Sequence, residues 1–181
     1  DLSHPSEAQP QNFSCPHGLT LQVNFAWSKF RNIVSTKSPS GSLTPLYIQH
    51  FRPTKPNLRI EDASSGAEIA TGTIHAVRVS AETTVNGNTL HLKPVSRWAT
   101  HYNYLSPALG SQQVEWITTV SAKIWDFVCL DSYQLPVAKF SVNLWAVKQV
   151  GNFHFEKNAE EVGKEVRDEV VAAELTILYT M

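Results

Sequence analysis

The C-terminal stretch Val170–Met181 limits what this chain can fold into. Val170, Val171, Ala172, Ala173, Leu175, Ile177, Leu178, Tyr179 and Met181 point in every direction around any helix drawn through them. Upstream, Val162, Val166, Val170 and Ala173 keep helical spacing. Asn158 is a suitable N-cap, with Glu161 three residues on as its capping-box partner. A helix apolar all round is buried all round. A bilayer span needs roughly 18 or more apolar residues; this run is shorter and contains Glu174. Its surroundings must therefore be protein.

The rest of the chain supplies those surroundings as short strands. Leu19, Leu21, Val23 and Phe25 alternate with polar residues, and a Ser/Pro/Gly loop follows from Lys37 to Pro45. Leu46, Ile48 and His50 share one face, and Tyr47, Gln49 and Phe51 the other. Leu58 and Ile60 alternate with Arg59 and Glu61, and Glu68 to Val79 is β-branched. Val85-Asn86-Gly87-Asn88 is a type I′ hairpin signal. Alternation resumes at Tyr102, at Val114, at Trp125 to Leu130, at Ala138 to Leu144 and at Phe153. These make ten to twelve strands at the spacing of a sandwich or barrel. Curling them around the helix removes their exposed edges. The expected fold is mostly β: a closed antiparallel β-barrel of about twelve strands around a buried hydrophobic C-terminal helix. Residues 19–181 form that single domain, and 1–18, rich in Ser, Pro, Gln and His, form a disordered tail.

Composition narrows the function classes. The chain has 181 residues, a net charge of −1 and only 17% charged residues, so a field that would hold nucleic acid is not expected. No transmembrane segment is present by pattern. Two cysteines, Cys15 and Cys129, form no disulfide framework and read as free thiols of a reducing, cytoplasmic compartment. The sequon Asn12-Phe13-Ser14 and a start at Asp1 rather than Met leave secretion open.

The order of several short pieces resembles a fungal tubby C-terminal-like protein. They are Pro45-Leu46-Tyr47-Ile48, Gly72-Thr73-Ile74-His75, Thr84-Val85-Asn86-Gly87, Lys93-Pro94 with Arg97-Trp98, Trp125 to Asp131, Leu135 to Phe140 and Asp168-Glu169-Val170-Val171. The resemblance covers roughly residues 45–181. It implies a barrel around a hydrophobic helix and a wider group with the tubby-like proteins, the LURP-one-related proteins and the phospholipid scramblases. Tubby domains bind phosphoinositide head groups through a basic surface. The basic residues of that site do not match this chain one by one, so no site residue is carried over.

Motifs for chemistry are sparse. The seven histidines show no metal spacing, and no Gly-x-Ser-x-Gly elbow, dinucleotide loop or P-loop occurs. No metal and no cofactor are expected. Arg52, Lys55 and Arg59 in and beside a Pro-bounded loop, with Lys93 and Arg97 around Pro94, could contact an anion. The first expectation is therefore a non-catalytic binding or scaffold module, peripheral at a membrane, for phosphoinositide or other anionic lipid head groups or a protein partner. The alternative is a cofactor-independent enzyme of cyclase or isomerase type, with a barrel pocket for an apolar small molecule and His75, His101 or Glu174 as acid or base. Asp126, between Trp125 and Phe127, is a further carboxylate in apolar company.

Overall fold

The structure, a computed structural model, describes residues 17–75, 80–95, 101–120 and 125–181. Most of the expected tail lies outside the described residues. Twelve strands follow in order: β1 (Thr20–Ala26), β2 (Arg31–Lys37), β3 (Leu43–Phe51), β4 (Leu58–Asp62), β5 (Glu68–His75), β6 (Ser80–Val85), β7 (Asn88–Pro94), β8 (His101–Ser106), β9 (Gln112–Val120), β10 (Trp125–Leu130), β11 (Pro136–Val142) and β12 (Gln149–Phe155). Every neighbour in sequence is an antiparallel neighbour in space, and β1 pairs with β12 to close the barrel. Closure leaves no edge strand. Two helical segments end the chain, α1 (Ala159–Val162) and α2 (Lys164–Leu178).

The alternation in the sequence becomes inside and outside. Leu21 and Val23, Tyr47 and Gln49, Leu58 and Ile60, Leu90 and Leu92, Trp116, Phe127 and Cys129, and Phe140 are buried within the barrel. The Asn86-Gly87 turn has positive φ at both residues, 48° and 83°, as type I′ requires. Tyr102 and Tyr104 face inward and belong to the core. One strand, β2, falls where the sequence pattern gave no element, because Asn32 and Ser35 are polar yet buried.

Helix α2 is the filling. Every residue from Asp168 to Ile177 is buried. The helix sits off-centre, packed on β5, β6 and β7. Small inward residues there, Ala70, Gly72, Ala81 and Thr83, admit its backbone. A Cβ at residue 72 would stand 2.7 Å from Thr176 Oγ1, so that position needs glycine. Across the lumen, Phe127, Phe140, Phe153 and Phe155 fill the wider gap with rings 4.5–6.4 Å apart. The expected capping box is present: Asn158 accepts from Glu161 N, and Glu161 reaches back to Asn158 N. The helix does not run through, however. Gly163, with φ 71° and ψ 158°, separates α1 from α2.

The meander gives the barrel two unlike rims. At one rim lie the carboxyl ends of the odd-numbered strands and the end of α2, where Tyr179 packs on Phe51 at 4.7 Å. At the other lies the start of α2, where Asn86 donates to Asp168.

Candidate functional site

Three neighbouring loops define the first rim: 27–30 between β1 and β2, 52–57 between β3 and β4, and 143–148 between β11 and β12. They hold Lys29, Arg52, Lys55 and Lys148, with Arg31 adjoining, and no carboxylate. The connections 76–79, 96–100 and 121–124 lie outside the described residues; by sequence they carry Arg78, Arg97 and Lys123 and no acid. The opposite rim is different in charge. Its connections and helix starts hold Asp131, Glu156, Glu160, Glu161 and Glu165 among Lys157, Lys164 and Arg167, so both signs are present there.

The first rim is also aromatic. Phe25 packs edge-on against Trp27 and Phe30, at 4.8 and 5.4 Å, and Phe30 lies 5.5 Å from Phe51. Trp27 Nε1 donates to the carbonyl of Val147 at 3.2 Å, and Phe25 N to that of Lys148 at 2.7 Å. Two loops far apart in sequence are thus tied into one surface. On it Trp27 is 63% exposed, Phe30 61%, Trp145 83% and Val147 77%.

The five cations expected to meet an anion separate here. Arg52 and Lys55 sit on the first rim, where Asn57 Oδ1 accepts from Ile74 N at 3.0 Å and ties their loop to β5. Lys93 is exposed on β7 and lines a flank cavity of about 300 Å³ with His75, Glu82 and His91; Lys55 Nζ reaches His75 at 3.4 Å. Arg59 is neutralised on the outer wall by Glu68 at 2.8 Å and Glu61 at 3.4 Å. Arg97 lies outside the described residues.

The acid–base candidates do not converge. His75 and His101 occupy outward positions of β5 and β8, whereas Glu174 is fully buried in the barrel. Both Glu174 carboxyl oxygens lack a hydrogen-bond partner, and burial holds the group protonated far above the usual carboxylate range. Burial pushes the Cys129 thiol up as well, so it is a poor nucleophile. Asp126 is outward and bridges Lys139 at 2.7 Å.

Sequence reasoning missed the carboxylates at the second rim. A cavity of about 350 Å³ opens there, lined by Asn86, Lys164, Asp168 and Glu169 among others. Asp168 accepts from Tyr47 Oη at 2.5 Å and Lys164 Nζ at 2.6 Å. Glu169 accepts from Ala108 N at 3.0 Å, and burial raises its proton affinity. The apolar run after Asp168 was the signal that both acids would be dragged inside. Among the described residues no group of three or more His, Cys, Asp or Glu side chains could hold a metal ion.

No family model and no curated protein matches this chain. Among solved structures it is similar to an X-ray structure of a protein from Arabidopsis thaliana, at 11% identity and a TM-score of 0.47, covering 92% of this chain and 91% of that one.

Proposed function

We propose that this chain is a non-catalytic binding module for anionic phospholipid head groups, working at a membrane surface through its basic rim. One observation carries the reading: Lys29, Arg31, Arg52, Lys55 and Lys148 gather in and beside three adjoining loops that hold no carboxylate. Clusters of 4–8 basic residues attract anionic leaflets, at about 1 kcal/mol per residue near the surface. The near-neutral total charge is no obstacle, because these three loops hold no carboxylate, several wall carboxylates are engaged by cations of the wall (Glu61 and Glu68 by Arg59, Asp126 by Lys139), and the field is local. The likeness of the short motifs to tubby C-terminal-like proteins of fungi, read from sequence order, belongs to the same proposal. The cyclase or isomerase reading has less support, since His75 alone of its three candidates lines a cavity, on the outer flank of the barrel, and Glu174 and His101 line neither cavity.

The test is co-sedimentation of the protein with phosphatidylserine-containing and with purely zwitterionic vesicles, at about 0.05 M and about 0.5 M salt. Binding should require the anionic lipid and weaken with salt. Reversing Arg52, Lys55 and Lys148 to Glu together should abolish it. Failure to bind anionic vesicles at low salt would end the reading.

A further inference from the structure

Among the large apolar side chains left exposed, several sit on the basic rim. Trp27 and Phe30 tip the 27–30 loop; Leu144, Trp145 and Val147 tip the 143–148 loop. In sequence the apolar and basic residues interleave, as Trp27-Ser28-Lys29-Phe30-Arg31 and as Leu144-Trp145-Ala146-Val147-Lys148. The bond from Trp27 Nε1 to the Val147 carbonyl and the ring contacts from Phe25 to Tyr179 brace the tips against the barrel. Large side chains are thus held out in water, in neighbouring loops that hold no carboxylate. Contiguous exposed apolar patches of that kind mark contact sites.

We infer that the Trp27–Phe30 and Leu144–Val147 tips insert into the interface of an anionic lipid bilayer, so that the module grips the membrane and not the head group alone. This rests on the reading proposed above and names how that surface works. A free head group would satisfy the cations but would leave Trp145 in water. The bilayer interface offers both features at one depth: phosphates for Lys and Arg, and the headgroup–acyl boundary where Trp resides. An acidic protein surface would match the charge, yet it has no comparable apolar layer beneath its charges.

The experiment uses the full chain, vesicles of phosphatidylcholine and phosphatidylserine, and inositol hexakisphosphate as a soluble polyanion. Trp145→Ala should weaken vesicle affinity about tenfold, and Trp27→Ala with Trp145→Ala further, while polyanion affinity stays unchanged. Tryptophan emission of the wild type should shift to the blue on vesicles and be quenched by brominated lipid. Both signals should shrink in Trp145→Phe, which keeps an apolar ring. Thermal unfolding of Trp145→Ala and Trp145→Phe should match the wild type, because that side chain is 83% exposed, whereas adding Trp27→Ala, which removes the bond to Val147 and the contact with Phe25, should lower the midpoint slightly while unfolding stays cooperative. Unchanged vesicle affinity in both alanine variants, with no quenching, would overturn insertion and leave the electrostatic reading standing. No binding by any form would remove both. A wild-type dimer in light scattering that Trp145→Ala makes monomeric would also overturn insertion, since a second copy would then cover the tips.

Discussion

The hydroxyl of Tyr47 on β3 donates to the carboxylate of Asp168 in α2 at 2.5 Å, across 121 positions of sequence. Arg167 Nε donates to the same hydroxyl at 2.7 Å, and its guanidinium lies 5.8 Å from the Tyr47 ring centre. Burial, and then the Asp168 carboxylate, hold the Tyr47 proton on. The contact pins the start of the helix to the barrel wall where strands alone give no directional hold. Tyr47→Phe should cost about 1–3 kcal/mol, because the buried carboxylate loses a donor and keeps its desolvation penalty. Urea unfolding of wild type and variant would measure the loss, with the slope unchanged.

Glu174 sets a pH dependence. Unfolded, its carboxyl ionises near the ordinary 4.5; folded, burial holds the proton to well above that. Between those two values the unfolded chain binds fewer protons than the folded one. The contribution is therefore fully present below about 4.5 and is lost as pH rises toward the folded value. Glu169 adds in the same direction. Glu174→Gln should flatten the decline by up to about 1.4 kcal/mol per pH unit in that window. Unfolding at pH 5 and pH 8 should show the variant gaining on the wild type at the higher pH.

Gly72 and Thr176 should prove coupled. Thr176 Oγ1 donates to the Ala172 carbonyl at 2.7 Å, so it cannot retreat without losing that bond. Gly72→Ala should destabilise by about 1–3 kcal/mol through overpacking. Thr176→Ala should recover part of the loss, and a double-mutant cycle on unfolding free energies would read the coupling.

Leu175→Asp or Ile177→Asp should prevent folding. Both side chains are fully buried inside the barrel, and an unpaired charge there costs more than a domain's margin of about 5–15 kcal/mol easily tolerates. Circular dichroism on heating should find no cooperative transition. A soluble, cooperatively melting variant would contradict the central helix.

Arg59 and Arg52 should differ in vesicle binding. Arg59 is engaged by Glu61 and Glu68, whereas Arg52 stands in a loop without carboxylates. Arg59→Ala should leave affinity nearly unchanged, and Arg52→Ala should lower it several-fold at low salt, as co-sedimentation would report.

Much of the fold was legible because it rests on short-range periodicity. Alternation at Tyr47, Phe127 or Phe153 is a statement about neighbours two residues away. The Asn86-Gly87 turn and the Asn158 cap are local as well. Strand β2 was illegible because Asn32 is buried through bonds to partners distant in sequence, Gln49 on β3 at 2.9 Å and the Tyr179 hydroxyl at 2.7 Å. The break at Gly163 was illegible because helical spacing continues on both sides of it.

By itself, then, the sequence determined that an apolar helix too short for a bilayer must be buried in protein, and the run of short strands before it made a sheet curled around the helix the simplest solution. The tertiary structure decided which residues share a surface. Trp27 and Val147 stand 120 positions apart and meet because β1 pairs with β12, a closure that depends on the whole circuit of the sheet. The same closure brought Lys29, Arg52, Lys55 and Lys148 onto one rim in loops without carboxylates, and it split Arg52 from Arg59 although they are close in sequence. Charge on a chain is a list; only the register of the strands makes it a field.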